Sequence, residues 1–290
     1  MGFEFFGKLL SAMLNGMVIL YWAALALLLI GIARSKLERS AKVIVSVLLA
    51  GIMIGWPVRN EILLQQRQQA GRERLAKAEA IFEERCKTAG EKIYKTAEGV
   101  EGIYLVKVRK RDPYFTTNQN AEDPYGSLGD DSGDGFILSF LHGRDAKGNR
   151  SRWENDQPGY RYIETIDPGD GKRYRYTGEM RPLRAGAAPQ MTFRKEPALG
   201  PMPRYAVDFE DLTTPDERLQ WIGGGALRVI DLETNEVMAE RIGYMVDKGL
   251  GATAGGRQPW AHARRWSCPQ TQLPVSSREF VEKVLKIKEK

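Results

Sequence analysis

The residues best suited to chemistry lie in one acidic loop, Asp130-Asp131-Ser132-Gly133-Asp134-Gly135. Counted from Asp130, it offers oxygens at positions 1, 3 and 5 and a glycine at position 6, as a calcium loop does. Position 12 is Leu141, where such a loop needs a bidentate glutamate. Asp130, Asp131 and Asp134 are therefore candidate metal ligands, with a plain acidic loop as the alternative. The same carboxylates would be the acid and base of an envelope-acting enzyme, although no spacing singles out a pair. Two histidines, His142 and His262, exclude a histidine-rich zinc centre. No Gly-x-Ser-x-Gly elbow is present. Gly249-Leu-Gly251-Ala-Thr-Ala-Gly255 has the glycines of a phosphate loop, but Gly-Arg-Gln-Pro follows where a helix must begin. No cofactor is expected.

Two further groups of residues stand out. Trp260, His262, Arg264, Arg265 and Trp266 combine aromatic and basic side chains, the types enriched at protein interfaces, and form a candidate partner surface. The alternative is packing beneath the C-terminal helix. Cys86 and Cys268, the only cysteines, flank a polar region and suit one disulfide in an oxidising compartment. Two free thiols in a reducing compartment are the other possibility.

These residues hang from an apolar N-terminus. Leu9 to Ala33 contains no charged residue over 25 positions, enough helix to cross about 30 Å of hydrocarbon. Val43 to Val58 is a second uncharged run, short for a span, but Lys42 and Arg59 can snorkel to lengthen it. A re-entrant helix is the alternative. Gly51 and Gly55 match the small-xxx-small pattern that lets two membrane helices approach closely. Arg34, Lys36, Arg39 and Lys42 crowd the connection, which places it in the cytoplasm and the rest of the chain in the periplasm. Arg59, Arg67, Arg72, Arg74 and Lys77 compete for the opposite orientation. The expectation is two membrane helices within residues 1–58 (about 9–33 and 42–58) in a bacterial inner membrane. Of the net charge of +6, only +3 falls on the polar remainder, which is no footprint for nucleic acid.

Residues 59–90 read as a helical stalk that continues past Pro57, with Leu64, Leu75, Ala78, Ile81, Phe82 and Cys86 on one stripe. Residues 91–290 read as a mainly antiparallel α+β domain. Strands are expected at Ile103–Val108, Phe136–Leu141, Tyr160–Thr165, Arg173–Thr177, Arg204–Phe209, Ala226–Leu232 and Glu236–Met245. Asp167-Pro-Gly-Asp-Gly171 and Glu233-Thr-Asn235 are hairpin turns. Alternation from Tyr160 to Tyr176 predicts tyrosines on one face of the sheet and arginines on the other, with base stacking as the rival use. Thr214-Pro-Asp-Glu217 and Ser276 with Glu279 are capping boxes that open short helices.

The run Ala226–Met245, the segments Gly255-Gly-Arg-Gln-Pro-Trp260 and Cys268-Pro269, and Phe82–Ile93 resemble an uncharacterised group of bacterial membrane proteins. The resemblance implies a small accessory membrane protein encoded beside a secreted toxin. The leading expectation is a membrane-anchored, non-enzymatic binding module, in one concrete form an immunity protein against such a toxin. Its partners would be that protein and membrane lipids. A structural subunit of an inner-membrane complex is the alternative, and an enzyme acting on the envelope is a further one.

Overall fold

The computed structural model describes residues 2–36, 38–143, 158–270 and 276–288. The chain divides into two compact units, Met1–Glu73 and Arg74–Lys290.

The first unit holds α1 (Gly2–Arg34) and the first part of α2 (Arg39–Cys86). The Tyr21 hydroxyl donates to the Met53 carbonyl, and Lys42 Nζ donates to the Ala33 carbonyl at 2.9 Å. Leu25 is buried, while Ile19, Leu20, Leu27, Val43, Val47 and Ile52 expose most of their apolar surface. Among the described residues, α2 is the one helix long and apolar enough to cross a membrane, and the described apolar part of α1, Ile19–Arg34, is shorter. Pro57 lies inside α2, so apolar run and stalk are one continuous helix. Among the described residues, a Cβ at Gly51 or Gly55 meets nothing within 4 Å and both positions are exposed, whereas the Met53 carbonyl accepts from Tyr21.

The second unit is an α+β domain. Its strands are β1 (Gly90–Ile93), β2 (Ala97–Val100), β3 (Gly102–Leu105), β4 (Tyr162–Ile166), β5 (Arg173–Arg181), β6 (Gln190–Pro197), β7 (Tyr205–Asp211), β8 (Ile222–Asp231), β9 (Glu236–Val246), β10 (Ser267–Cys268) and β11 (Leu285–Ile287). Its helices, besides the end of α2, are α3 (Pro124–Ser127), α4 (Asp134–Leu141), α5 (Pro215–Leu219), α6 (Pro259–Ala263) and α7 (Ser277–Val284). Among the described residues, one sheet runs β1-β9-β8-β7-β3-β4-β5-β6, with β10 also on β9, and β11 pairs β2 separately.

Among the described residues, six of the eight pairings in this sheet are antiparallel, and two parallel ones make it mixed. β3 lies parallel to both β4 and β7. The reason is the long connection after β3, which carries α3 and α4 over one face before the chain re-enters at β4, and a parallel pair requires such a crossover. Phe136–Leu141 forms α4 instead of a strand. Its buried residues Phe136, Ile137, Phe140 and Leu141 repeat at helical spacing and make one stripe against the sheet. Both hairpins form at the expected turns.

One face of the sheet carries the core. Ile103, Leu105, Ile163, Tyr176, Val207, Leu227 and Val229 pack there with Phe136 and Phe140 of α4 and Phe280 of α7. On β5, Tyr176 is buried in this core and Tyr174 packs against it, while Arg173 and Arg175 meet Glu164 on the other face. Tyr162 departs from the expected division: it shares the arginine face, with the Arg175 guanidinium 4.1 Å above its ring.

The end of α2 is part of this unit. Ala78, Ile81 and Phe82 pack on Ile222 and Val246. Arg85 pairs with Glu217 of α5 at 2.6 Å, and Lys248 pairs with Glu79 at 2.6 Å. Thr214 and Glu217 form the full capping box at α5, while Ser276 accepts from Glu279 N at α7. Cys86, the last residue of α2, is disulfide-bonded to Cys268 of β10, with Cα atoms 5.6 Å apart.

Candidate functional site

The chain leaves β3 toward Arg109, whose side chain is 3% exposed. A buried guanidinium needs anions around it, because the desolvation of an unpaired charge costs several kcal/mol, about 3–5 when a partner is removed. Arg109 has two. Its Nη1 donates to Asp123 at 2.8 Å and its Nε donates to Asp130 at 2.7 Å. The guanidinium lies 4.2 Å from the centre of the Phe209 ring. Asp130 also accepts from the backbone N of Ser277 at 2.7 Å and from the Ser277 hydroxyl.

Asp123 caps α3, accepting from Gly126 N at 2.9 Å, with Pro124 following at the first helical position. Its backbone N donates to Asp211 at 3.0 Å. Asp211 in turn pairs with Arg218 of α5, and Arg218 lies over the ring of Trp260 at 5.3 Å. A continuous line of ions thus runs Asp130, Arg109, Asp123, Asp211, Arg218.

Close backbone approach makes room for this line. A Cβ at Gly225 would stand 1.9 Å from Asp123 Oδ1, and one at Gly126 would stand 2.3 Å from Asp123 Oδ2. A Cβ at Gly243 would stand 2.0 Å from the Tyr125 ring. The Gly223-Gly224-Gly225 run within β8 is the sequence signal for that approach, since strand glycines mark places where another backbone comes near.

Beyond Arg109 lies an open cavity of about 560 Å³, lined among others by Arg109, Asn118, Asn120, Asp131, Ser132 and Phe209. It sits past the carboxyl end of β3, beside its parallel neighbour β7. Burial pushes the Asp123 carboxyl up to about 6 despite the opposing pull of Arg109. Burial likewise lowers Arg218, outweighing the support of Asp211.

The expected site residues divide. Asp130 is held by Arg109 and Ser277 and serves as a structural anion rather than a metal ligand. Asp131 is exposed on the cavity wall and Asp134 opens α4. The described residues contain no group of three or more His, Cys, Asp or Glu able to hold a metal. Trp260 is not a surface residue: it is fully buried, packs on Trp221, and its Nε1 donates to the Asn118 carbonyl at 2.7 Å. The rest of that segment stays accessible. His262, Arg265 and Trp266 are exposed, Arg264 is half-buried, and Lys248 Nζ stands 3.8 Å above the Trp266 ring. Arg109, Asp211 and Arg218 do not stand out in the sequence. No family model, no curated protein and no solved structure matches this chain.

Proposed function

We propose that this chain is a non-enzymatic binding module held in a bacterial inner membrane by both N-terminal helices, with its folded domain in the periplasm. The observation that carries the reading is the disulfide between Cys86 and Cys268. Such bonds persist in oxidising compartments and are rare in the cytosol. The basic connection between the helices supports the same orientation. The carboxylates best placed for chemistry, Asp123 and Asp130, are committed to Arg109, which favours binding over catalysis.

The partner is a protein that meets His262, Arg264, Arg265 and Trp266. An immunity protein neutralising a secreted toxin at the envelope is the concrete form. A fusion after Lys290 tests the orientation: alkaline phosphatase should be active there and a fluorescent protein dark. The reverse result would sink the periplasmic assignment. Capture of a partner by the full chain, and its loss on joint substitution of Arg264, Arg265 and Trp266 by alanine, tests the surface.

The outward-facing Gly51 and Gly55 favour a second reading, a subunit of an inner-membrane complex. Exchange of both helices for a cleaved secretion signal separates the two. A periplasmic binder keeps its partner, whereas a complex subunit loses it.

A further inference from the structure

The line of ions beneath α3 does not balance. Three carboxyl groups, Asp130, Asp123 and Asp211, share two guanidinium groups, Arg109 and Arg218. Four of the five side chains are at most 8% exposed, and only Asp211, at 27%, reaches water. An uncompensated negative charge in such surroundings is costly, and a buried acid relieves it by taking a proton.

The three acids are not served alike. Asp130 has Arg109 and two donors from Ser277 at the start of α7. Asp211 has Arg218, the backbone N and hydroxyl of Thr213, and the backbone N of Asp123. Asp123 has one nitrogen of Arg109 and the Gly126 N–H, and is 1% exposed. The surrounding elements bring Arg109 from the end of β3, Asp211 from β7, Arg218 from α5 and Tyr125 from α3. From β9 comes the buried Arg241, which donates to the Ser276 carbonyl at 3.3 Å, lies over the Phe280 ring and acts on the Tyr125 hydroxyl, while Gly225 of β8 and Gly243 of β9 are the residues that meet the turn itself.

We infer that Asp123 holds the surplus proton at mildly acid pH and releases it as pH rises, so that the buried line behind the cavity wall, next to Arg109, gains one negative charge. The raised value of about 6 agrees with this placement. The neutral acid is then the form the fold prefers. The stability it adds is present at low pH and is lost as pH climbs from the ordinary carboxyl range through about 6.

The test uses the full chain in detergent micelles. Asp123→Asn mimics the protonated acid. Its melting temperature should match the parent near pH 5 and exceed it at pH 7.5, with the gap opening around pH 6. If Asp123 works instead as an ionised partner of Arg109, the variant falls progressively behind the parent as pH rises, and the inference is overturned. A second measurement does not depend on the variant folding. In the parent chain labelled with carbon-13 at aspartate carboxyls, one resonance should titrate near pH 6. Titration of every aspartate below about pH 5 would overturn the inference as well.

Discussion

Beneath α3 the domain buries an unbroken line of ions, from Asp130 through Arg109 and Asp123 to Asp211 and Arg218. The opposite face of the sheet spreads its charges across three strands, where Arg228 of β8 meets Glu210 of β7 at 2.6 Å and Glu240 of β9 at 2.7 Å. These groups are 20–51% exposed. The two regions use the same residue types for different ends. In the buried line a lost guanidinium strands its carboxylates, because they cannot turn to water. On the open face each pair is optional, because water takes the place of a lost partner.

The contrast predicts a ranked series of effects. Arg109→Ala strands two buried carboxylates and should cost about 3–5 kcal/mol in denaturant unfolding, the largest effect of the set. An effect below about 1 kcal/mol would erase the distinction between the regions. Glu164→Gln sharpens it. Glu164 is wholly buried on the arginine face, with Arg175 at 2.7 Å and Arg173 at 3.5 Å, yet both arginines are part exposed and can rehydrate. A loss of about 1–2 kcal/mol is expected, between the extremes. Arg228→Ala should cost under about 1 kcal/mol. The smallest effect is that of salt on that last penalty. Raising salt to about 1 M, where screening acts over roughly 3 Å, should shrink the Arg228→Ala penalty toward zero while leaving the Arg109→Ala penalty in place.

What the sequence revealed follows the reach of each signal. The capping box at Thr214, the turn at Asp167–Gly171 and the long helix through Pro57 depend on neighbours in the chain and were legible as local patterns. The Cys86–Cys268 bond was legible only as one of two alternatives, because pairing depends on distance in space. The sequence of α4 reads equally as a strand, because a short apolar run has no flanking context that separates the two. The parallel placement of β3 was hidden for a related reason: it is fixed by where the chain returns, long after the strand itself.

The candidate site was least legible. Arg109 and Asp123 lie far in sequence from Asp211 and Arg218, and each alone reads as an ordinary surface charge. Trp260 reads as an interface residue or as packing beneath the C-terminal helix, whereas its ring fills the space beside Trp221. The one clue in reach was the glycine run of β8, a strand interior in which Gly223 and Gly225 give up side chains so that Pro124 and Asp123 can close in.

The bond at Cys86 has a consequence for proteolysis. With Cys86 joined to Cys268 across a separation of 182 residues, nearly the whole domain is a covalent ring, and the N-terminal helices are a tail on it. A single cut of the backbone anywhere between the two cysteines opens the ring without releasing either piece. The severed C-terminal part stays tied to the helix that carries it until a reductant arrives. On a gel, such nicked chains would run as one species without reductant and as two with it.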